Sequence, residues 1–87
     1  MQKRILILEN IEKKANKISN YLKNYSFKTY IKTQNIYILK EIIEKDIDLI
    51  ILSENFNNYK SEKICKELRK NFKIPIIFIS HQKDIEL

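Results

Sequence analysis

A run of apolar residues near the middle of the chain constrains the fold more than any other feature. Residues 49–52 are all Leu or Ile, and they lie between Asp48 and Ser53. A surface strand of an antiparallel sheet would alternate apolar and polar residues, whereas an unbroken run is typical of a parallel strand buried on both faces. In open α/β sheets, functional residues gather at the carboxyl ends of such strands. The polar residues from Ser53 onward are therefore the first candidates for a site.

Three further segments are predicted to be strands, at residues 4–8, 27–31 and 75–79, and helical patterns separate them. This βαβαβαβ order predicts a parallel sheet with right-handed crossovers and helices on both faces. Asn10 and Ser61 are predicted to be N-caps of the first and third helices. The apolar positions predicted to face the core are Ile11, Ala15, Ile18 and Leu22, then Ile36, Leu39, Ile42 and Ile43, then Ile64, Cys65, Leu68 and Phe72.

Length and composition point to a single globular domain. The 87 residues allow one modest core, and the balance of 44% hydrophobic and 32% charged residues is not that of a disordered chain. No apolar run approaches the roughly 20 residues that span a bilayer, which predicts no membrane association. The single cysteine cannot form an internal disulfide, which favours a reducing cytoplasm. We therefore expect one cytoplasmic domain over residues 1–87.

The net charge of +6 raises the possibility of an anionic partner. A basic domain can attract nucleic acid, but abundant Ile, Lys and Asn without any Gly also fits an AT-rich coding bias. We interpret the charge as a solvated surface with weak, nonspecific binding, because aromatic interleaving of the kind that stacks bases is missing. Tyr21, Tyr25 and Tyr30 are expected to pack at the helix–sheet margin. A nucleic-acid-binding module remains the alternative function. The lysines concentrated in residues 13–32, where no acid occurs, are Lys13, Lys14, Lys17, Lys23, Lys28 and Lys32.

Polar residues follow three of the predicted strands. Glu9 and Asn10 follow the first strand, residues 53–55 end the central one, and Ser80 and His81 follow the fourth. Because the carboxyl ends of parallel strands meet at one edge of a sheet, we expect these residues to form a common site. They include no nucleophile paired with a base and no metal-ligand cluster, so the chain is not predicted to be an enzyme.

At this level the chain resembles the receiver domain of two-component response regulators, from about Lys3 to Asp84. The segments that carry the resemblance are RILILEN at 4–10, DLIILS at 48–53, ICKELRK at 64–70 and IPIIFIS at 74–80. The resemblance implies an α/β, flavodoxin-like doubly wound sheet in strand order 2-1-3-4, truncated because the fifth strand is absent. It also implies a role in phosphorelay signalling and transcription regulation. DNA would then be bound only through an output domain that these 87 residues do not contain.

The resemblance also assigns positions to the candidate site residues. Ser53 falls on the family's phosphoacceptor aspartate, Glu9 and Asn10 on its acidic pair, and Ser80 on its conserved Ser/Thr. The family's mechanism needs an aspartate nucleophile and acidic ligands for Mg²⁺, and Ser53 and Asn10 remove two of those carboxylates. We therefore predict a degenerate, phosphorylation-independent domain with weak or absent Mg²⁺ binding and no other cofactor. Its partner would be another protein or a second copy of the chain.

Single residues at this edge allow two interpretations each. Ser53 is either a target of a Ser kinase or, as we favour, a strand-end hydroxyl satisfied by backbone. Glu9 either holds a cation or, as we favour, is an exposed carboxylate paired with a lysine. His81 is favoured to be a loop residue rather than a base or ligand. Cys65, on the apolar side of the predicted third helix, is favoured to pack in the core.

Overall fold

The computed structural model describes residues 2–34, 37–54, 56 and 60–80. Strands and helices alternate along them, which confirms the predicted βαβαβαβ order. None of the described helices is long and apolar enough to cross a lipid bilayer. The elements are β1 (Arg4–Leu8), α1 (Glu12–Lys23), β2 (Lys28–Lys32), α2 (Ile38–Glu44), β3 (Leu49–Ser53), α3 (Ser61–Arg69) and β4 (Ile76–Ile79).

The four strands form one parallel sheet in the order β2-β1-β3-β4. This confirms the predicted flavodoxin-like order 2-1-3-4. The unbroken apolar runs of β1 and β3 occupy the two inner positions, where Leu6 lies opposite Ile50. β2 carries lysines at both ends and lies at an edge of the sheet, as the predicted order 2-1-3-4 requires.

Alternate residues of the inner strands enter two separate apolar clusters, one on each face of the sheet. Ile5 and Ile7 pack with Ala15 of α1 on one face. Leu6 and Leu8 pack on the other face, which α2 and α3 cover through Ile42 and Leu68 among others. The period-two geometry of a strand sends neighbouring side chains to opposite faces, so an unbroken apolar run supplies both cores.

The predicted core-facing positions of α2 were wrong in part. Ile38 and Ile42 are buried, whereas Leu39 and Ile43 are exposed, and Ile36 lies outside the described residues. Two apolar rows run side by side along this helix, Ile38 with Ile42 and Leu39 with Ile43, and the residues within each row are four positions apart. The sheet can cover only one of these rows. Tyr37, the residue before α2, has a left-handed backbone at φ 58°.

Other details also differ from the prediction. The N-cap residues are Ile11 and Lys60, each one position away from the predicted Asn10 and Ser61, and neither makes a side-chain cap hydrogen bond. Phe56, which follows β3 and was not among the predicted core positions, is fully buried in the α2–α3 cluster. Among the remaining positions predicted to face the core, Ile18, Leu22 and Phe72 are partly buried and pack against it as predicted. Cys65 is only partly buried, and Ile11 is exposed.

We predict that two adjacent isoleucines of α2 respond very differently to truncation. Ile42 is 2% exposed and Ile43 is 65% exposed. Ile42→Ala should lower the free energy of unfolding by about 2–5 kcal/mol because it leaves a cavity. Ile43→Ala should stay within about 0.5 kcal/mol, as surface substitutions usually do. Urea denaturation followed by circular dichroism measures both. Since both changes raise helix propensity equally, similar losses would mean that the helix faces the sheet differently.

Candidate functional site

The carboxyl edge of the sheet holds a buried acid, Glu9, directly after β1. Its backbone N–H donates to the Lys32 carbonyl at 3.1 Å, which extends the ladder with β2 by one residue. Its side chain is buried, and Oε2 accepts the Ile11 N–H at 3.0 Å. The favoured interpretation of Glu9 as an exposed carboxylate was therefore wrong. Its carboxylate accepts a backbone N–H at the entry to α1, where acidic groups are stabilised.

Ser53 ends β3 and donates its hydroxyl proton to the Glu9 carboxylate. Ser53 Oγ lies 2.6 Å from Glu9 Oε1, and both side chains are buried. The β1–β3 register explains the contact: Leu8 lies opposite Leu52, so the next residue of each strand meets its counterpart. Ser53 was expected to be satisfied by backbone, but it bonds to a side chain from the neighbouring strand.

A second hydrogen bond at this edge joins the ends of β3 and β4. Ser80 Oγ donates to Glu54 Oε1 at 3.1 Å, and the Glu54 N–H donates to the Ile79 carbonyl at 2.8 Å. Unlike Ser53, Ser80 is exposed. The predicted convergence thus brings Glu9 to Ser53 and brings Ser80 to Glu54. Asn10 is exposed beside Glu9, whereas the predicted site residues Asn55 and His81 lie outside the described residues.

The Ser53–Glu9 pair has one feature of a catalytic pair, since a carboxylate lies within hydrogen-bonding distance of a hydroxyl. A nucleophile must also reach its substrate, and a base must reach the proton that it removes. Ser53 has no exposed surface and Glu9 almost none. The pair therefore stabilises the edge of the sheet in this conformation and is closed to a substrate.

The residues at this edge do not fit the Mg²⁺ ion that the receiver family uses. Mg²⁺ favours carboxylate oxygens in octahedral geometry. Here both Glu9 oxygens accept internal hydrogen bonds, and the Glu54 carboxylate accepts one from Ser80. Ser53 and Asn10 supply only neutral oxygens. Among the described residues, no three His, Cys, Asp or Glu side chains group in a way that could hold a metal ion.

We predict that the Ser53 hydroxyl is needed to keep Glu9 buried. Ser53→Ala removes a donor from a buried carboxylate and should lower the free energy of unfolding by about 1–3 kcal/mol. Ser80→Ala is the matched control, because the Ser80–Glu54 bond is exposed and should contribute less than about 1 kcal/mol. Thermal and urea denaturation measure both variants. Equal stabilities for Ser53→Ala and the unmodified chain would show that the buried bond contributes nothing.

Sequence comparison finds transcriptional regulators. The chain is 34% identical over 86 residues to the nisin biosynthesis regulatory protein NisR of Lactococcus lactis, and 32% identical over 81 residues to an uncharacterized transcriptional regulatory protein, YvcP, of Bacillus subtilis. The transcriptional regulatory protein YxdJ of B. subtilis is 29% identical over 77 residues. These alignments cover 88–95% of this chain but only 34–36% of each relative. The chain therefore spans about a third of the length of the relatives that it matches.

Structure comparison finds receiver domains. The chain matches the BeF₃-activated N-terminal receiver domain of RstA from Klebsiella pneumoniae with a TM-score of 0.83, at 17% identity, over 94% of this chain and 70% of that one. A response regulator receiver domain protein of Bacillus halodurans matches with a TM-score of 0.79, at 15% identity, over 100% and 77%. No protein-family model matches the sequence. The predicted resemblance is nevertheless confirmed: the chain has the fold of a response-regulator receiver domain, and its sequence is similar to those of transcriptional regulators.

Proposed function

We propose that this chain is a receiver-like signalling domain that works without phosphorylation, by docking to another protein or to a second copy of itself. The observation that carries this proposal is the buried 2.6 Å hydrogen bond between Ser53 and Glu9. It lies where the resemblance places the phosphoacceptor and its acidic pocket. A hydroxyl that already donates to a buried carboxylate is a poor substitute for an ionised aspartate nucleophile.

The charge at this edge supports the same conclusion. Phosphoryl transfer in the family depends on a metal ion that neutralises the developing charge, and that ion depends on several carboxylates. Asn10 and Ser53 each replace a carboxylate with a neutral group. Glu9 remains, but its two oxygens accept hydrogen bonds from Ser53 and Ile11. We therefore assign Glu9, Asn10, Ser53 and Ser80 to a degenerate pocket and not to a catalytic site.

The relatives suggest what kind of longer protein such a domain belongs to. They are transcriptional regulatory proteins about three times as long as the matched segment. We propose that residues 1–87 form one cytoplasmic receiver-like unit of such a regulator, without enzymatic activity of its own. Recognition of a specific duplex DNA sequence would then be made by an output domain outside these residues.

We predict that Mg²⁺ leaves this edge of the unmodified chain unchanged, because the two carboxylates described there, Glu9 and Glu54, already accept hydrogen bonds and are too few to hold the ion. Backbone amide NMR shifts of Ile11, Glu54 and Ser80, followed during titration with MgCl₂ and then with beryllofluoride, should not show saturation. Asn10→Asp with Ser53→Asp adds two carboxylates next to Glu9 and should produce saturable, Mg²⁺-dependent shifts. Asn10→Asp alone is the control and should respond weakly.

Two results of this titration would contradict the proposal. A saturable, Mg²⁺-dependent response of the unmodified chain would show that the pocket is functional despite its missing acids. A double variant that folds but binds no metal would show that Asn10 and Ser53 are not at the positions that the resemblance gives them.

The fourth strand supports self-association as one form of docking. Within the described residues, β4 pairs only with β3, so its other edge has no strand partner there. Ile77 and Phe78 are each about half exposed, and being neighbours in a strand they point to opposite faces of the sheet. An apolar, uncharged edge is the kind that natural proteins cover. Pairing of two β4 strands across a two-fold axis would cover it.

We predict that the 87-residue chain dimerises through this edge. Light scattering across a concentration series should show a mass rising from one copy to two. Phe78→Lys places a charge beside the edge and should shift the chain to a monomer. Ile43→Lys is the matched control, because Ile43 is at least as exposed but lies on α2. Equal dimerisation of all three proteins would show that the dimer forms elsewhere, and a monomer at every concentration would show that the open edge is tolerated.

A further inference from the structure

Two tyrosines of the first helical region are exposed and in contact with each other. Tyr21 is 62% exposed and Tyr25 is 61% exposed, and their ring centroids are 5.3 Å apart with an interplanar angle of 53°. The prediction that they pack at the helix–sheet margin was wrong, although Tyr30 does pack against the core. Large aromatic rings that remain exposed are available for stacking.

Lysines extend the line of these rings. Lys13, Lys17 and Tyr21 lie four residues apart on α1, and Tyr25 follows at the same interval in the turn after the helix. Side chains at this spacing lie on one face of a helix, so the four form a single exposed row, which we call the Lys/Tyr row. It combines positive charge at one end with aromatic surface at the other.

The charges around the Lys/Tyr row are almost all positive. No Asp or Glu occurs between Lys13 and Lys40, and Glu12 lies at the start of α1, away from the two rings. Asp46 and Asp48 are at the same end of the sheet as Tyr25, but they lie on the β3 side of β1, where Asp48 accepts the Arg4 N–H. A polyanion could therefore follow the row without meeting a carboxylate on α1 beyond its first residue.

A concavity lies beside Tyr25, the last residue of the Lys/Tyr row. It has a volume of about 390 Å³ and is lined by Tyr25, Ser26, Phe27, Lys3 and Gln2. Gln2 is held there by a hydrogen bond from Nε2 to the Ser26 carbonyl at 3.0 Å. The concavity thus offers two aromatic side chains and a cation at the amino-terminal end of the sheet, opposite to the edge that holds Ser53.

From this arrangement we infer that the Lys/Tyr row and the concavity beside it bind single-stranded nucleic acid. Lysines at intervals along the row suit a phosphate backbone, and exposed rings stack on unpaired bases whatever their sequence. A duplex keeps its bases stacked inside and would use only the lysines. A lipid surface fits less well because the apolar side of α1 is packed on the sheet and is not available for insertion.

The inference is tested with the full 87-residue chain and a labelled single-stranded oligonucleotide of about 15 nucleotides. This length is near the upper site size of a single OB-fold domain that binds single strands. Fluorescence anisotropy measures affinity, and the tyrosine emission of this Trp-free chain reports stacking. We expect saturable binding that quenches this emission and weakens steeply between about 50 and 200 mM salt. Binding to a duplex of the same length should be weaker at every salt concentration and should leave the emission unchanged.

Variants separate the rings from the charges. Tyr21→Ala with Tyr25→Ala should weaken single-strand binding by at least about tenfold, since a stacked base contributes about 1–3 kcal/mol. Replacing both residues by Phe should preserve binding because the rings remain. Tyr37→Ala is the matched control, because Tyr37 is at least as exposed as Tyr21 and Tyr25 but lies at the start of α2 on the other face of the sheet. Lys13→Gln with Lys17→Gln should reduce the salt dependence, whereas Lys66→Gln with Lys70→Gln on and just after α3 should not.

Three outcomes would overturn the inference. In the first, the Tyr37 variant loses as much affinity as the Tyr21/Tyr25 variant. In the second, the duplex binds as tightly as the single strand, which would leave only general electrostatic attraction. In the third, the chain binds anionic lipid vesicles but not the oligonucleotide, which would identify a membrane surface as the partner of this face.

Discussion

The pairing of β1 with β3 is the constraint on which the rest of the structure depends. Both strands are apolar at almost every position, so each must be covered on two faces, and lying side by side at the centre of the sheet achieves this. Their register also aligns the first polar residue after β1 with the last residue of β3. The Ser53–Glu9 hydrogen bond is a consequence of that alignment.

Burial of this pair changes the character of the carboxyl edge. In the resembled family this edge performs chemistry because several acids and a metal ion meet there. Here the neutral hydroxyl of Ser53 donates to the buried Glu9 carboxylate, which removes the cost of burying that acid without a hydrogen-bond partner. The same contact that links β1 to β3 leaves the Ser53 hydroxyl inaccessible to solvent in this structure, and other exposed surfaces lie elsewhere in the molecule.

Those surfaces differ in chemistry and in position. The exposed side of β4 is apolar and uncharged, and an apolar surface of that kind suits another protein. The Lys/Tyr row on α1 is basic and aromatic, which suits a polyanion with unpaired bases. Because α1 covers β1 and β2 while β4 lies at the far edge, the two surfaces do not compete for the same part of the sheet.

The sequence by itself determined the order of elements, the parallel sheet and the residues at the strand ends. Unbroken apolar runs such as residues 49–52 are compatible with few other arrangements, and short βαβ connections restrict the topology further. The candidate residues Glu9, Ser53 and Ser80 were identified because the position after a strand is a local property of the sequence.

Only the tertiary structure decided how those elements turn toward one another. Leu39 and Ile43 were expected in the core, yet the sheet covers the parallel row of Ile38 and Ile42. The burial of Glu9 and the exposure of Tyr21 were missed for a related reason. Periodicity fixes the spacing of side chains within an element, but contacts with residues distant in the chain fix which side is covered. The rotation of a helix on its sheet is set by packing, and no local pattern records it.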